Sequence, residues 1–218
     1  MSARRILIVG GGSAGWMTAA YLDAALNAEG QSPVDIALIE SPDVPRIGVG
    51  EATIPSINHV LAVIGIDEID FLKRVDGTYK QAIKYADWLD GQGESYYHAF
   101  GRYRSSPIDS TSMDWLMSDR SLPFSETISA QPVICDACLA PKTLELADVG
   151  ARFTYAFHMN ALKFADYLCE IATSRGVGHH LEHIVDIEMK DTGDIAAVKT
   201  KTGKRIEADL FVDATGFA

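Results

Sequence analysis

The opening of the chain sorts its apolar and polar positions into blocks, each with the period of one kind of element. Residues 6–9 form a short apolar run, glycines follow, and apolar residues then recur at helical spacing at Trp16, Ala19, Ala20, Leu22, Ala25 and Leu26. A second apolar run, "VDIALIE", ends on Glu40. Short runs bounded by turn residues suit buried strands, so the pattern predicts strand, helix, strand. Weaker helical periodicity predicts helices over 57–64 and 68–75. Residues 160–175 predict a longer one, with Leu162, Ala165, Leu168, Cys169 and Ala172 on its buried side and Gly176 ending it. The segments "HHLEHIVDIEMKD", "DIAAVKTKTG" and "KRIEADLFVDATG" read as strands joined by "TGD" and "TGK" turns.

Between residues 87 and 150 this regularity lapses. Gly, Ser, Pro and Asp dominate there, interleaved with Trp88, Tyr96, Tyr97, Trp115 and Phe124. Linkers are poor in aromatics, so the segment is expected to be an irregular insertion with short helices. The expected division is 1–86, carrying the first part of a nucleotide-binding domain, 87–150 as the insertion, and 151–218 as the return to that domain.

Composition narrows the class of protein. The 218 residues are 47% hydrophobic and 22% charged, as in globular domains, and carry a net charge of −11. Nucleic acid and anionic membrane surfaces are therefore unexpected partners, since both select clustered Lys and Arg. No apolar run has the length of a membrane span, and three cysteines suit a reducing compartment, so the expected location is cytoplasmic.

Gly10-Gly11-Gly12-Ser13-Ala14-Gly15 fits the dinucleotide signature G-x-G-x-x-G. The first glycine permits a tight turn, the second lets a pyrophosphate approach the backbone, and the third lets helix and strand pack closely. The strand before it, the helix after it and Glu40 at the end of the next strand, placed for a ribose hydroxyl, complete the pattern. FAD and NAD share this signature. "ADLFVDATG", an apolar strand ending in Ala214-Thr215-Gly216, resembles the late strand of two-dinucleotide-fold flavoproteins, which returns beside the first strand near the flavin phosphates. FAD is the expected cofactor.

The segments "VGGGSAGWMTAAYL", "PRIGVGEATIPSI", "TYKQAIKY", "YYHAFG", "YAFHMNALKFADYL" and "ADLFVDATGF" occur in an order that resembles the flavin-dependent tryptophan halogenase family. Trp16 and the block "GVGEATIP" are more specific to it than the glycines. The resemblance implies an α/β, FAD-binding Rossmann-like domain of the monooxygenase type with an irregular insertion. It further implies that FADH2 reacts with O2 to a flavin hydroperoxide, that halide attacks it, and that hypohalous acid reaches a lysine beside tryptophan, indole or a related aromatic. By its place in "T-Y-K-x-A-I" that lysine is Lys80, with Lys84 the neighbour outside the matching position. Hypohalous acid is an unselective electrophile, so it must be held near one carbon, by an ammonium donor or as a haloamine; burial lets a lysine serve in either form.

Cofactor contacts implied by the resemblance are Gly10, Gly12, Ser13, Ala14, Gly15, Glu40, Val49, Glu51, Ala52, Val185 and Gly216. Glu51 alone could also cap the helix predicted near Pro55; the resemblance favours a strap between flavin and lysine formed by residues 49–52. A separate flavin reductase is the implied partner, with monomer or homodimer left open. Cys135 and Cys138 have C-x-x-C spacing without a second pair, and His179, His180 and His183 fall on a predicted strand, so packing or surface roles are expected for both groups. His98 and His158 match family positions, and His158, just before a helix, is expected to be structural; Asn160, where the family has Asp, can still cap that helix.

Family members continue well beyond the Ala-Thr-Gly strand into a W-x-W-x-I-P motif and a catalytic glutamate. Neither precedes Ala218, so the sequence is expected to be an N-terminal part that does not halogenate by itself and that exposes an apolar patch. The alternatives are a flavin-dependent aromatic monooxygenase and a degenerate, non-catalytic flavin-binding protein.

Overall fold

The structure, a computed structural model, describes residues 4–28, 33–101, 111–143 and 153–216. In chain order its elements are β1 (Arg5–Val9), α1 (Ser13–Leu26), β2 (Asp35–Glu40), β3 (Gly50–Ala52), α2 (Ile57–Ile64), α3 (Glu68–Arg74), β4 (Thr78–Lys80), β5 (Ala82–Ala86) and β6 (Ser95–Ala99). There follow α4 (Thr111–Met117), α5 (Phe124–Ile128), α6 (Gln131–Asp136), β7 (Ala156–Asn160), α7 (Ala161–Ser174), β8 (Gly178–Leu181), β9 (Ile184–Met189), β10 (Ile195–Thr200), β11 (Arg205–Glu207) and β12 (Leu210–Asp213). They divide into two units, one of Met1–Glu51, His59–Gly77 and Met159–Ala218, the other of Ala52–Asn58 and Thr78–His158.

A parallel sheet in the order β12-β1-β2-β8 organises the first unit. Its centre is β1, whose Ile6, Leu7 and Ile8 are 5%, 1% and 0% exposed, as expected of an apolar run covered on both faces. The late strand does return beside the first: Leu7 pairs with Phe211 and Val9 with Asp213. α1 packs against α7. Leu7 and Ile39 of the parallel sheet share a core with Val198 and Ala208, which joins it to the antiparallel sheet β11-β10-β9. This is a Rossmann-like α/β unit.

Four details depart from the periodicity. In α1 Ala25 is exposed while Asp23 is buried, its carboxylate accepting from Asn27 Nδ2 at 3.0 Å. Leu162 is 39% exposed because it sits at the first turn of α7 beside Gly48, not on the face toward α1. "HHLEHIVDIEMKD" is two strands: the Glu182 N–H bonds the Glu40 carbonyl at 3.0 Å, ending the parallel ladder, and β9 starts in the other sheet. "KRIEADLFVDATG" likewise breaks between β11 and β12, where the Asp209 carboxylate accepts the backbone N–H groups of Arg4 and Arg5, both at 3.0 Å.

The helix predicted to start at residue 160 starts at Ala161, with the Asn160 side chain accepting from Leu162 N at 3.1 Å and Lys163 N at 3.2 Å. Asn160→Ala is expected to cost about 1 kcal/mol in thermal or urea unfolding and Asn160→Asp close to nothing.

In the second unit β4 pairs antiparallel with β7, and β5 with β6. The sheet order is β3-β7-β4. Tyr79, Tyr155 and Phe157 pack edge to face, with Tyr79–Tyr155 and Tyr155–Phe157 centroids 5.1 and 5.7 Å apart. The insertion carries the expected short helices α4, α5 and α6, but also β6, which periodicity did not mark. Residues 102–110 and 144–150 of the insertion lie outside the described residues. Among the described residues no helix is long and apolar enough to cross a membrane.

Candidate functional site

The glycine loop lies at the carboxyl end of β1, and its glycines are needed for different reasons. Gly10 has φ +115°, and a Cβ there would lie 2.3 Å from the Ala214 carbonyl oxygen at the end of β12. A Cβ on Gly15 would lie 1.9 Å from the Gly10 oxygen, so the helix can pass this close only without a side chain. Gly12 is the exception. Its φ is −76°, open to any residue, and a Cβ would meet nothing within 4 Å. The fold itself places no demand on a glycine at position 12. Gly12 precedes α1, and no side chain caps the first-turn N–H groups. Free space over uncapped amides at a helix start fits a pyrophosphate.

Glu40 closes one side of this loop; a Cβ on Gly11 would meet its Oε2 at 1.7 Å. The carboxylate is held by Arg46, from Nη2 at 2.9 Å and Nε at 3.2 Å, and by His179 Nε2 at 2.8 Å. Arg46 reaches Asp166 as well, at 2.6 Å. Burial is the largest single influence and works against the Arg46 charge, yet the hydrogen bonds and charges of Glu40 and Asp166 together more than offset it, and its pKa stands above the ordinary value. Trp16, fully buried, meets the His179 ring edge-on at 4.8 Å. The surface or packing role expected of His179 thus gives way to a polar one, that of fixing Glu40. Sequence reasoning missed Arg46 and His179 as partners of Glu40. The β2–β8 register, Leu38 opposite His179, is what brings that histidine in, and no local pattern announces it.

In the strap, Val49 O accepts from Ala161 N at 3.2 Å, and Glu51 lies in β3, where Ser13 Oγ approaches its carboxylate at 3.4 Å. Glu51 is therefore no helix cap. Gly50, like Gly12, has no left-handed φ and nothing within 4 Å of a built Cβ. Gly48, Val49, Gly50, Asp76, Asn160 and Leu162 border a cavity of about 380 Å³. Of the remaining predicted cofactor contacts, Ala14 is exposed in the first turn of α1, and Val185 is 59% exposed on β9. Gly216 follows β12 with φ +70°, and Ala52 is exposed at the end of β3 in the second unit.

Lys80 is the last residue of β4 and only 8% exposed. Alternation puts Thr78 and Lys80 on one face of the sheet, opposite His158 and Ala156 respectively. Lys80 Nζ donates to the Thr53 carbonyl at 2.9 Å and lies 5.4 Å from the Phe100 ring centroid. Among the described residues no carboxylate pairs with it. A buried amine so supplied is expensive for the fold, which marks it as a functional candidate. Thr53, two residues after Glu51, was the part of this arrangement that the sequence did not single out; only strand pairing reveals that its carbonyl faces the lysine.

Lys84 is different: it is half exposed, pairs with Asp136 at 2.9 Å and lies over the Tyr97 ring at 4.9 Å. Its hydrogen bond to Asp136 raises its pKa, which keeps it an ammonium. Lys80, Lys84, Tyr97, Cys135 and His158 border a cavity of about 420 Å³. Burial raises the Cys135 thiol pKa, so it stays protonated. His158 is held below its ordinary pKa by desolvation and then by the charge of Lys80. His98 is exposed on β6, with its ring edge-on to Phe100 at 6.5 Å.

Comparison with known proteins shows the family. The tryptophan halogenase family model matches residues 5–218. The chain is 38% identical to tryptophan 7-halogenase RebH of Lentzea aerocolonigenes, over 98% of this chain and 42% of that protein. It is 34% identical to tryptophan 6-halogenase ThaL of Streptomyces albogriseolus, over 98% of this chain and 43% of that one. A tryptophan halogenase structure from Shewanella frigidimarina superposes with a TM-score of 0.88 at 38% identity, covering 97% of this chain and 42% of the other. The chain spans less than half the length of these relatives, aligning with their N-terminal part. By sequence and by fold, the chain belongs to the tryptophan halogenase family.

Proposed function

We propose that this chain supplies the FAD-binding framework and the halogen-directing lysine of an FADH2-dependent halogenase acting on tryptophan, indole or a related electron-rich aromatic. The observation that carries the reading is Lys80: a buried amine bound to one backbone carbonyl, beside an aromatic ring, on the wall of a cavity. An aromatic hydroxylase has no use for that lysine.

Gly10, Gly12, Ser13, Ala14 and Gly15 would hold the pyrophosphate of FAD at the start of α1, with Gly216 near the phosphates. Glu40, oriented by Arg46 and His179, would accept from the ribose hydroxyls. Val49, Glu51 and Ala52 would line the isoalloxazine, where Gly50 leaves backbone uncovered, and Val185 is the further contact. Reduced FAD, when bound, supplies hypohalous acid from O2 and halide. The chain's own task is then to hold that acid. Lys80, as ammonium, donates to its oxygen; as neutral amine, it takes the halogen and keeps it from water until an aromatic carbon attacks. Reduced flavin would come from a separate reductase.

The full-length protein is expected to quench FAD fluorescence on binding, without competition from NAD. Given reduced FAD, O2, chloride and a panel of indoles, it should chlorinate one of them, and omitting halide should stop product formation while reduced flavin is still consumed. A product whose yield ignores halide would refute the reading.

A further inference from the structure

The sheet register places His158 where it can act on Lys80. Thr78 faces His158 and Lys80 faces Ala156, so Lys80 and His158 are diagonal neighbours on one face of the β4–β7 pair. Diagonal Cβ atoms lie about 7 Å apart, within reach of long side chains. The lysine also reaches toward the far side of that histidine's strand: its Nζ donates to the carbonyl of Thr53, just after β3, and β7 lies between β3 and β4 in the sheet. His158 is two residues further along the same strand and face, and both side chains border the same cavity.

We propose that His158 is the positioning residue that sets the protonation state of Lys80, its imidazole accepting the proton that the ammonium must lose before the amine can carry halogen. The inference rests on the halogenase reading above. The proton passes from Lys80 Nζ to the imidazole directly or through one water. The amine lone pair then attacks the halogen of hypohalous acid. The N–halogen bond forms, the halogen–oxygen bond breaks, and the departing hydroxide takes an N–H proton to leave as water. Halogen transfer to an aromatic carbon leaves the nitrogen one hydrogen short, the proton lost by the ring makes up that N–H and restores the neutral amine, and the histidine can return its own proton to Lys80.

Among the described residues bordering the cavity, no other suits this role as well. Lys84 on β5 is a cation already paired with Asp136. Tyr97 on β6 donates its hydroxyl to the same carboxylate, and burial and that bond raise its pKa. Burial likewise keeps Cys135 of α6 protonated, and Cys138, exposed after α6, holds its backbone N–H on Cys135 O at 3.0 Å. Thr53 offers the lysine only a carbonyl, which accepts a hydrogen bond but takes no proton. His158, exposed on β7 and with its pKa lowered by partial desolvation and then by the charge of Lys80, offers a neutral imidazole near neutral pH and is the base in place.

The test compares full-length wild type with His158→Gln across pH, following halogenated product, with melting temperature as a check on folding. Wild-type turnover should fall on the acid side as the imidazole is protonated. The variant should lose roughly 10-fold at neutral pH and recover toward wild type at alkaline pH, where hydroxide from solvent can take the proton in the imidazole's place. A uniform loss at every pH, or an unchanged profile, would overturn the proposal while leaving the halogenase reading intact. A wild-type protein that consumes reduced flavin and halogenates nothing would sink both.

Discussion

Gly12→Val should give a protein that melts where the wild type does and has lost FAD, whereas Gly15→Ala should keep any affinity only as far as it still folds. The two glycines lie in the same turn, but their surroundings differ. A Cβ on residue 15 meets the Gly10 carbonyl oxygen at 1.9 Å, a backbone atom that cannot swing aside, so β1 and α1 must separate. A forced shift of this kind costs about 3 kcal/mol, and for a chain of this size that lowers the melting temperature by roughly 10 °C. Gly10→Ala adds a left-handed φ to its clash with Ala214 and should be at least as damaging. At position 12 no described residue lies within 4 Å of a built Cβ, so the isopropyl group would enter the space proposed for the pyrophosphate. Affinity should fall roughly 100-fold. Calorimetry and flavin fluorescence on the three variants separate fold from binding; a Gly12→Val protein with undiminished FAD affinity would show that the open space has another purpose.

The second large effect concerns Lys80. Lys80→Met keeps the length of the side chain, removes a buried charge and leaves the Thr53 carbonyl with one hydrogen bond fewer. An amine is costly to bury beside a single carbonyl, so the variant should be as stable as wild type or slightly more so. Halogenated product should nevertheless fall by roughly 1,000-fold, with reduced flavin still consumed and hydrogen peroxide released in its place. Lys84→Met is the control: it loses a half-exposed ion pair with Asp136, worth at most about 1 kcal/mol, and should still halogenate. If the two variants changed places, the lysine would have been misassigned.

How far such a site is visible before folding depends on which interactions are local. The glycine turn, the flanking strand and helix and the Asn160 cap each involve residues a few positions apart, so periodicity and spacing reveal them. The return of β12 beside β1 was foreseen from its apolar run and its Ala-Thr-Gly ending, which are also local. By contrast, the clamp on Glu40 joins Arg46, in the loop after β2, with His179 on β8, and the Thr53 carbonyl meets Lys80 only because β3, β7 and β4 lie side by side. Such contacts follow from sheet order and register, which are global properties. The two strand breaks, after β8 and after β11, escaped for a related reason. Glu182 and Asp209 end their ladders with hydrogen bonds to distant backbone, to Glu40 and to Arg4 and Arg5. Lys80 was visible through its motif, while its burial and its neighbour His158 required the fold.

The most direct test is the mass of the product. Full-length protein supplied with reduced FAD, O2, bromide and its aromatic substrate should yield that substrate with one hydrogen replaced by bromine, shown by the bromine isotope doublet, and Lys80→Met should yield roughly 1,000-fold less. A product bearing one added oxygen and no bromine would show an aromatic hydroxylase and contradict the account.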